Sequence, residues 1–235
     1  MNSVKKSKAH YIAFLGVMVA LIFVVLTLET YIFMGMLGIN PAFLSLPLAI
    51  ALCMFGTWKE EFVGGTIFGL CSLIIAAMVA YAPMLNPLVS VFPRVLMGIT
   101  AYWAYHFVSF IINKILSLRE KKGKAALNFK ANVVWRETVP AAVGGVIGAL
   151  TNTIFVLIML WCFGGEAFAT AFSVAIAFNS PIEMACCAVL VPIYIRTMKI
   201  ALKNSQNLLF QRSEKGEESL IKEQPNSEVK NDTLS

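Results

Sequence analysis

The chain has 235 residues, of which 58% are hydrophobic and 14% charged, with a mean hydropathy of +0.75. Soluble domains carry about 25% charged and about 45–50% apolar residues, so a single water-soluble globule is excluded. The formal net charge of +6 is compatible with nucleic acid, but no aromatic residues alternate with the cations as a single-strand binder requires, and no nucleic-acid partner is expected.

Apolar runs long enough to cross a bilayer recur along the chain, which predicts an all-α integral membrane protein surrounded by lipid. Lys5, Lys6 and Lys8 precede a first span at about His10–Tyr31. Its apolar run from Tyr11 to Leu28 is too long for a signal-peptide core and lacks an Ala-x-Ala cleavage site, so a retained helix is expected. The second span, about Ala42–Phe55, is short and contains Pro47, the pattern of a broken or tilted helix near a binding site, or simply of a short one. Thr57-Trp58-Lys59-Glu60-Glu61 forms a turn into a third span at about Phe62–Tyr81. The fourth covers about Leu88–Ile112, the fifth about Val139–Trp161 and the sixth about Pro181–Ile200. Residues 1–203 thus form one six-helix transmembrane domain. Residues 204–235, rich in Glu, Lys, Ser and Asn, are expected to be a disordered cytoplasmic tail.

Charge sets the orientation. Lys114, Arg119, Lys121, Lys122, Lys124, Lys130 and Arg136 fill one long loop, and Arg196, Lys199, Lys203 and Arg212 follow the last span. The alternate loops, 32–41, 82–87 and 162–180, contain no Lys or Arg. With six spans in the cell (inner or plasma) membrane, this segregation puts both termini in the cytoplasm.

Two segments are alike: Val63-Gly64-Gly65-Thr66-Ile67-Phe68-Gly69-Leu70 opens the third span, and Val143-Gly144-Gly145-Val146-Ile147-Gly148-Ala149-Leu150 opens the fifth. Each precedes a helix that begins near a proline, Pro93 or Pro181, so spans three-four and five-six are either parallel repeats or two instances of glycine-rich packing. In span one, Ala13, Gly16 and Ala20 are small residues that let another membrane helix approach, within the bundle or from a partner.

Polar chemistry concentrates at one level. Ionisable residues within spans are costly and are functional candidates by default. Arg94 lies at the outer end of span four, preceded by Asn86 and Ser90; Glu183 lies at the outer end of span six, just after Asn179. Asn152, flanked by Thr151 and Thr153, falls past the midplane in span five. Polar groups from three helices at a common depth make a pocket open to the outside. Arg94 offers a planar fork suited to a carboxylate, and Asn152 and Asn179 offer orienting hydrogen bonds; alternatively, Arg94 and Glu183 pair with one another or reach the headgroups.

Enzyme signatures are absent: no H-E-x-x-H, G-x-S-x-G, P-loop or Asp-rich motif occurs. His10 and His106 lie towards the inner face, away from the polar cluster, and the five cysteines show no C-x-x-C pairing. No enzyme activity, cofactor or metal is expected. Uphill transport then requires ions or a partner, since no nucleotide-binding loop is present.

The run Asn86-Pro87-Leu88-Val89-Ser90-Val91-Phe92-Pro93-Arg94-Val95-Leu96-Met97-Gly98-Ile99 resembles the substrate-binding S components of energy-coupling factor (ECF) vitamin transporters. The resemblance continues at Gly148-Ala149-Leu150-Thr151-Asn152-Thr153 and Asn179-Ser180-Pro181-Ile182-Glu183 and spans about residues 10–203. It implies a six-helix protein that binds a vitamin or precursor on the outer side and docks onto a transmembrane coupling subunit carrying two ATPase subunits. Asn86, Ser90, Arg94, Asn152, Asn179 and Glu183 are the implied ligand residues. Such proteins commonly dock through Ala-x-x-x-Ala on helix one; here Val17 stands four residues after Ala13, and Gly16 and Ala20 form the shifted equivalent. The pattern is most similar to the branch of pantothenate and folate carriers, both anionic ligands; pantothenate is favoured, with folate or riboflavin open. A stand-alone secondary transporter of a small organic anion is the competing reading, with Glu183 as its candidate membrane-buried acid.

Overall fold

The structure is a computed structural model that describes residues 8–37, 42–55, 58–80, 82–121, 134–164 and 166–223. Its helices are α1 (Lys8–Leu37), α2 (Ser45–Phe55), α3 (Trp58–Met78), the single-turn α4 (Pro87–Ser90), α5 (Phe92–Lys121), α6 (Val139–Phe163) and α7 (Glu166–Glu223). A short 3-10 turn, Ala82–Met84, precedes α4, and a π-helical turn, Val134–Thr138, leads into α6. Met1–Ile195 form one compact unit and Arg196–Ser235 another.

Among the described residues, four segments are long and apolar enough to cross a membrane: Ile12–Phe33, Pro87–Leu118, Trp135–Phe163 and Ile176–Ala201. Two shorter apolar helices, Ser45–Phe55 and Phe62–Met78, accompany them. The chain is an all-helical, multi-pass membrane protein. On α1, Met18, Ile22, Leu26 and Glu29 are buried along one stripe, at the three- and four-residue spacing of a helix face. Ile12, Val17, Leu21, Val24 and Leu28 stay exposed on the other side, where lipid is their natural solvent.

α2 sits at the centre. Every residue from Ser45 to Met54 is buried, and the helix touches α1, α3, α5 and α6. Eleven residues span only about 16 Å at ~1.5 Å per residue, half the hydrocarbon thickness of a bilayer. Pro47 does not break α2: it stands in the first turn, where its missing N–H has no helical acceptor to lose.

The glycine-rich segments let backbones touch. A Cβ at Gly65 would strike the Arg94 carbonyl oxygen, and one at Gly69 would come within 2.8 Å of Val91 Cα, so α3 lies directly against the α4–α5 junction. In α6, a Cβ at Gly145 would fall 2.9 Å from the Cys187 carbonyl of α7, and one at Gly144 3.0 Å from the Ala101 carbonyl of α5. Both segments therefore do the same work, removing side chains where membrane helices approach most closely.

Several boundaries differ from those read in the sequence, beginning with α1, which runs Lys8–Leu37 where about His10–Tyr31 is expected. α5 continues past Ile112 to Lys121 because no glycine or proline interrupts it, although its apolar character has ended. The fourth span is broken at Val91 into α4 and α5, with Pro93 in the first turn of the new helix, where it fits. The largest change is in α7, which begins at Glu166, not near Pro181. The expected loop 162–180 is mostly helix: α6 ends at its C-cap Gly164, and the alanine-rich stretch from Glu166 is free of breakers until Pro181, which α7 accommodates in its interior. Asn179 accordingly stands within a helix, not before one. Of the tail expected from residue 204, the backbone is helical as far as Glu223, and residues 224–235 lie outside the described residues. Of the expected turn Thr57-Trp58-Lys59-Glu60-Glu61, Thr57 lies outside the described residues, whereas residues 58–61 form the first turn of α3 and are not a turn between helices. Residues 122–133 of the basic loop also lie outside the described residues.

Gly65→Val should destabilise the folded protein by about 1–3 kcal/mol, since its side chain meets backbone that cannot move aside. A thermal melt of the purified variant is the check; a melting temperature equal to wild type contradicts the packing described.

Candidate functional site

The site grows from the break at Val91. α4 ends there, leaving carbonyls without helical partners. Arg94, in the first turn of α5, folds its side chain back onto two of them: Nη1 donates to Val89 O at 3.0 Å and to Ser90 O at 2.7 Å. The Phe68 ring of α3 lies 5.9 Å from the guanidinium carbon, within reach of a cation–π contact. Arg94 is only 7% exposed, and its Nε is buried without a hydrogen-bond partner. No carboxylate among the described residues lies within 4 Å of it. A buried guanidinium without a paired carboxylate is an uncommon arrangement, because such charges are normally neutralised locally.

Asn86 and Ser90 build the platform. Asn86 Oδ1 accepts from Leu88 N at 3.0 Å and so caps α4. The buried Ser90 hydroxyl donates to Met84 O, while the Ser90 carbonyl receives Arg94. Neither residue lines the cavity described next.

A cavity of about 90 Å³ opens beside Arg94, lined by Leu26 of α1, Ala42, Phe68 and Ser72 of α3, Met84, Asn152, Thr153 and Val156 of α6, and Ile176, Asn179, Ser180 and Glu183 of α7. At ~10–15 Å³ per water on this measure, it has room for on the order of six to nine water-sized groups, the scale of a small organic acid. Arg94, Asn152, Asn179 and Glu183 thus meet in one space. Asn152 Oδ1 is buried and unpartnered. The neighbouring threonines tie helices together: Thr100 Oγ1 donates to Thr151 Oγ1 at 3.0 Å between α5 and α6, and Ser180 Oγ to Thr153 Oγ1 at 3.5 Å between α7 and α6.

Glu183 is held as well as exposed to the cavity. Its Oε1 accepts from Asn179 Nδ2 at 2.8 Å and from Ala42 N at 3.2 Å. Its other oxygen has no partner among the described residues. The pairing of Arg94 with Glu183, one of the alternatives raised by the sequence, is not the arrangement found: the two line the same cavity without a direct ion pair.

Glu29 is absent from the candidates that the sequence points to, and Glu183 is therefore not the sole acid buried in the bundle. Glu29 is 3% exposed; Oε2 accepts from Ser45 N at 3.1 Å and from the Ser45 hydroxyl, and Oε1 accepts from Leu44 N. It satisfies the unpaired N–H groups that open α2, a carboxylate at the positive end of a helix. An acid inside an otherwise uncharged apolar run was the signal available. Together Glu29 and Glu183 fasten the segment Ala42–Ser45, whose first residue is cavity wall.

Among the described residues, the aromatic on the cavity wall is Phe68. Tyr31 and Phe178 are exposed, and Phe33 packs edge-on to Phe43 at 5.4 Å; the side chains of Phe168 and Phe172 lie outside the description. On α1, Ala13, Gly16 and Ala20 are all exposed, and a Cβ at Gly16 would meet nothing within 4 Å.

Compared with known proteins, residues 10–195 match the family described as ECF transporter, substrate-specific component. The chain is 24% identical over 223 residues to the pantothenic acid transporter PanT of Lactococcus lactis subsp. cremoris (strain MG1363), an alignment covering 86% of this chain and all of that protein. No solved structure matches.

Glu29→Ala removes the acceptor for three donors at the start of α2 and should lower stability by about 1–3 kcal/mol. Thermal or denaturant unfolding of the purified variant checks this, and an unchanged midpoint contradicts the capping role.

Proposed function

Because the chain belongs to the family of ECF transporter substrate-specific components, and is accordingly a transport component and not an enzyme, we propose that it is the membrane binding subunit for uptake of pantothenate, driven by a separate ECF module of one transmembrane coupling subunit and two ATPases. The observation that carries this reading is the buried Arg94, which lines a small cavity and has no direct ion pair with Glu183 on the same wall. A ligand that brings a carboxylate completes it, in a bidentate geometry that a guanidinium favours.

Pantothenate has a carboxylate at one end, an amide in the middle and hydroxyls at the other. Arg94 takes the carboxylate; Asn152 and Asn179 exchange hydrogen bonds with the amide and hydroxyls; the outward oxygen of Glu183 accepts from a hydroxyl. Asn86 and Ser90 contribute through Arg94, by fixing the carbonyls that hold it. The relative named for pantothenic acid supports the same ligand. Folate and riboflavin are larger and flatter, and a cavity of about 90 Å³ with one aromatic wall residue among the described residues suits them less well.

Six membrane-associated helices with both termini in the cytoplasm put this cavity on the outer side, where the ligand arrives; the absence of Lys and Arg from the opposite loops supports that orientation. The exposed Ala13, Gly16 and Ala20 give α1 a surface on which a helix of the coupling subunit packs closely.

Arg94→Ala should weaken pantothenate binding about 100-fold or more, measured by titration calorimetry on purified protein; unchanged affinity removes Arg94 from the site. Gly16→Leu should leave that affinity intact while abolishing co-purification with the coupling subunit. Loss of ligand binding with assembly preserved contradicts the assigned docking face.

A further inference from the structure

Ser72 carries no role in anything established so far. It is a hydroxyl on the cavity wall with no hydrogen-bond partner among the described residues. Ser109 Oγ is also unpartnered, but it does not line the cavity. Thr27, Thr66, Thr151 and Ser173 each return their hydroxyl to the carbonyl four residues earlier, the usual resort of a hydroxyl in a membrane helix. Ser72 makes no such bond.

Its position relative to Arg94 follows from the glycine contacts. Gly65 of α3 abuts the Arg94 carbonyl, and Gly69 abuts Val91 Cα and, at 3.3 Å, the Ser90 carbonyl. Moving four residues forward along α3 therefore moves about four residues back along the α4–α5 junction. Ser72 comes level with α4, whose Val89 and Ser90 carbonyls hold the guanidinium. Phe68, one turn before Ser72 and on the same helix face, already lies against that guanidinium at 5.9 Å. The internal similarity gives an independent pointer: Ser72 stands nine residues after Val63, as Asn152 stands nine after Val143, and both line the cavity.

We propose that Ser72 is a ligand-positioning residue that donates its hydroxyl hydrogen to the same carboxylate that Arg94 holds. This deepens the functional reading above and rests on it. A carboxylate has about four acceptor sites, more than one guanidinium edge fills. A hydroxyl donor beside the fork takes one of the remainder in a short, charge-assisted bond. The pair then distinguishes an ionised carboxylate from a neutral group of similar size.

Titration calorimetry on the purified full chain tests this with two ligands: pantothenate, and the neutral alcohol in which a hydroxymethyl group replaces its carboxylate. Ser72→Ala should weaken pantothenate about 10- to 100-fold, Ser72→Thr should retain near wild-type affinity, and Ser72→Ala should leave affinity for the alcohol unchanged. Equal binding of pantothenate by wild type and Ser72→Ala, or an equal loss for both ligands, overturns the assignment while leaving the pantothenate reading in place. A wild-type protein that binds no pantothenate overturns both.

Discussion

The structure turns on one buried cation. A guanidinium removed from water and held in a bilayer costs several kcal/mol unless something answers its charge, and here its direct contacts are two carbonyl dipoles and an aromatic face, with Glu183 across the same cavity but not paired to it. Carbonyls satisfy the donors of Nη1 but supply no net negative charge. The rest of the local fold serves this arrangement. Asn86 caps α4, Ser90 ties it to Met84, and Val91 breaks the chain so that α5 starts with Arg94 in its first turn. Gly65 and Gly69 bring α3 close enough for Phe68 to reach the guanidinium. A cation that is anchored yet not directly ion-paired is preorganised for an anion, because binding need not first break an ion pair.

A second constraint shapes the opposite wall. The segment Ala42–Ser45 enters the most buried helix of the bundle, and its N–H groups need acceptors that lipid cannot provide. Glu29 and Glu183 supply them from two different helices. Glu183 joins the two halves of the account, since one oxygen fixes this segment and the carboxylate also borders the cavity. What holds α2 in place and what faces the ligand are therefore physically linked.

Much of this was legible in the sequence, and the remainder was hidden for identifiable reasons. Hydropathy and the placement of Lys and Arg gave the helical membrane class, and polar residues at a common depth gave Arg94, Asn152, Asn179 and Glu183, which share one cavity. Glu29 carried a signal, as an acid in an otherwise uncharged apolar run, but its role is visible only once α1 is seen beside the start of α2. Asn86 and Ser90 were legible as polar neighbours of Arg94, but their role as its scaffold appears only once α4 separates from α5. The start of α7 at Glu166 was obscured because Pro181 reads as a helix boundary, whereas α6 already ends at Gly164. Ser72 gave no signal alone, because a serine among apolar residues is unremarkable until its hydroxyl is found without a partner on a cavity wall.

The most direct test of the account is an experimental structure of the purified protein with pantothenate bound. The ligand is expected in the cavity between α3, α6 and α7, with its carboxylate within hydrogen-bond distance of the Arg94 guanidinium, including the Nε that has no partner within the protein. A structure in which Arg94 instead forms a direct ion pair with Glu183, and the ligand lies elsewhere, contradicts it.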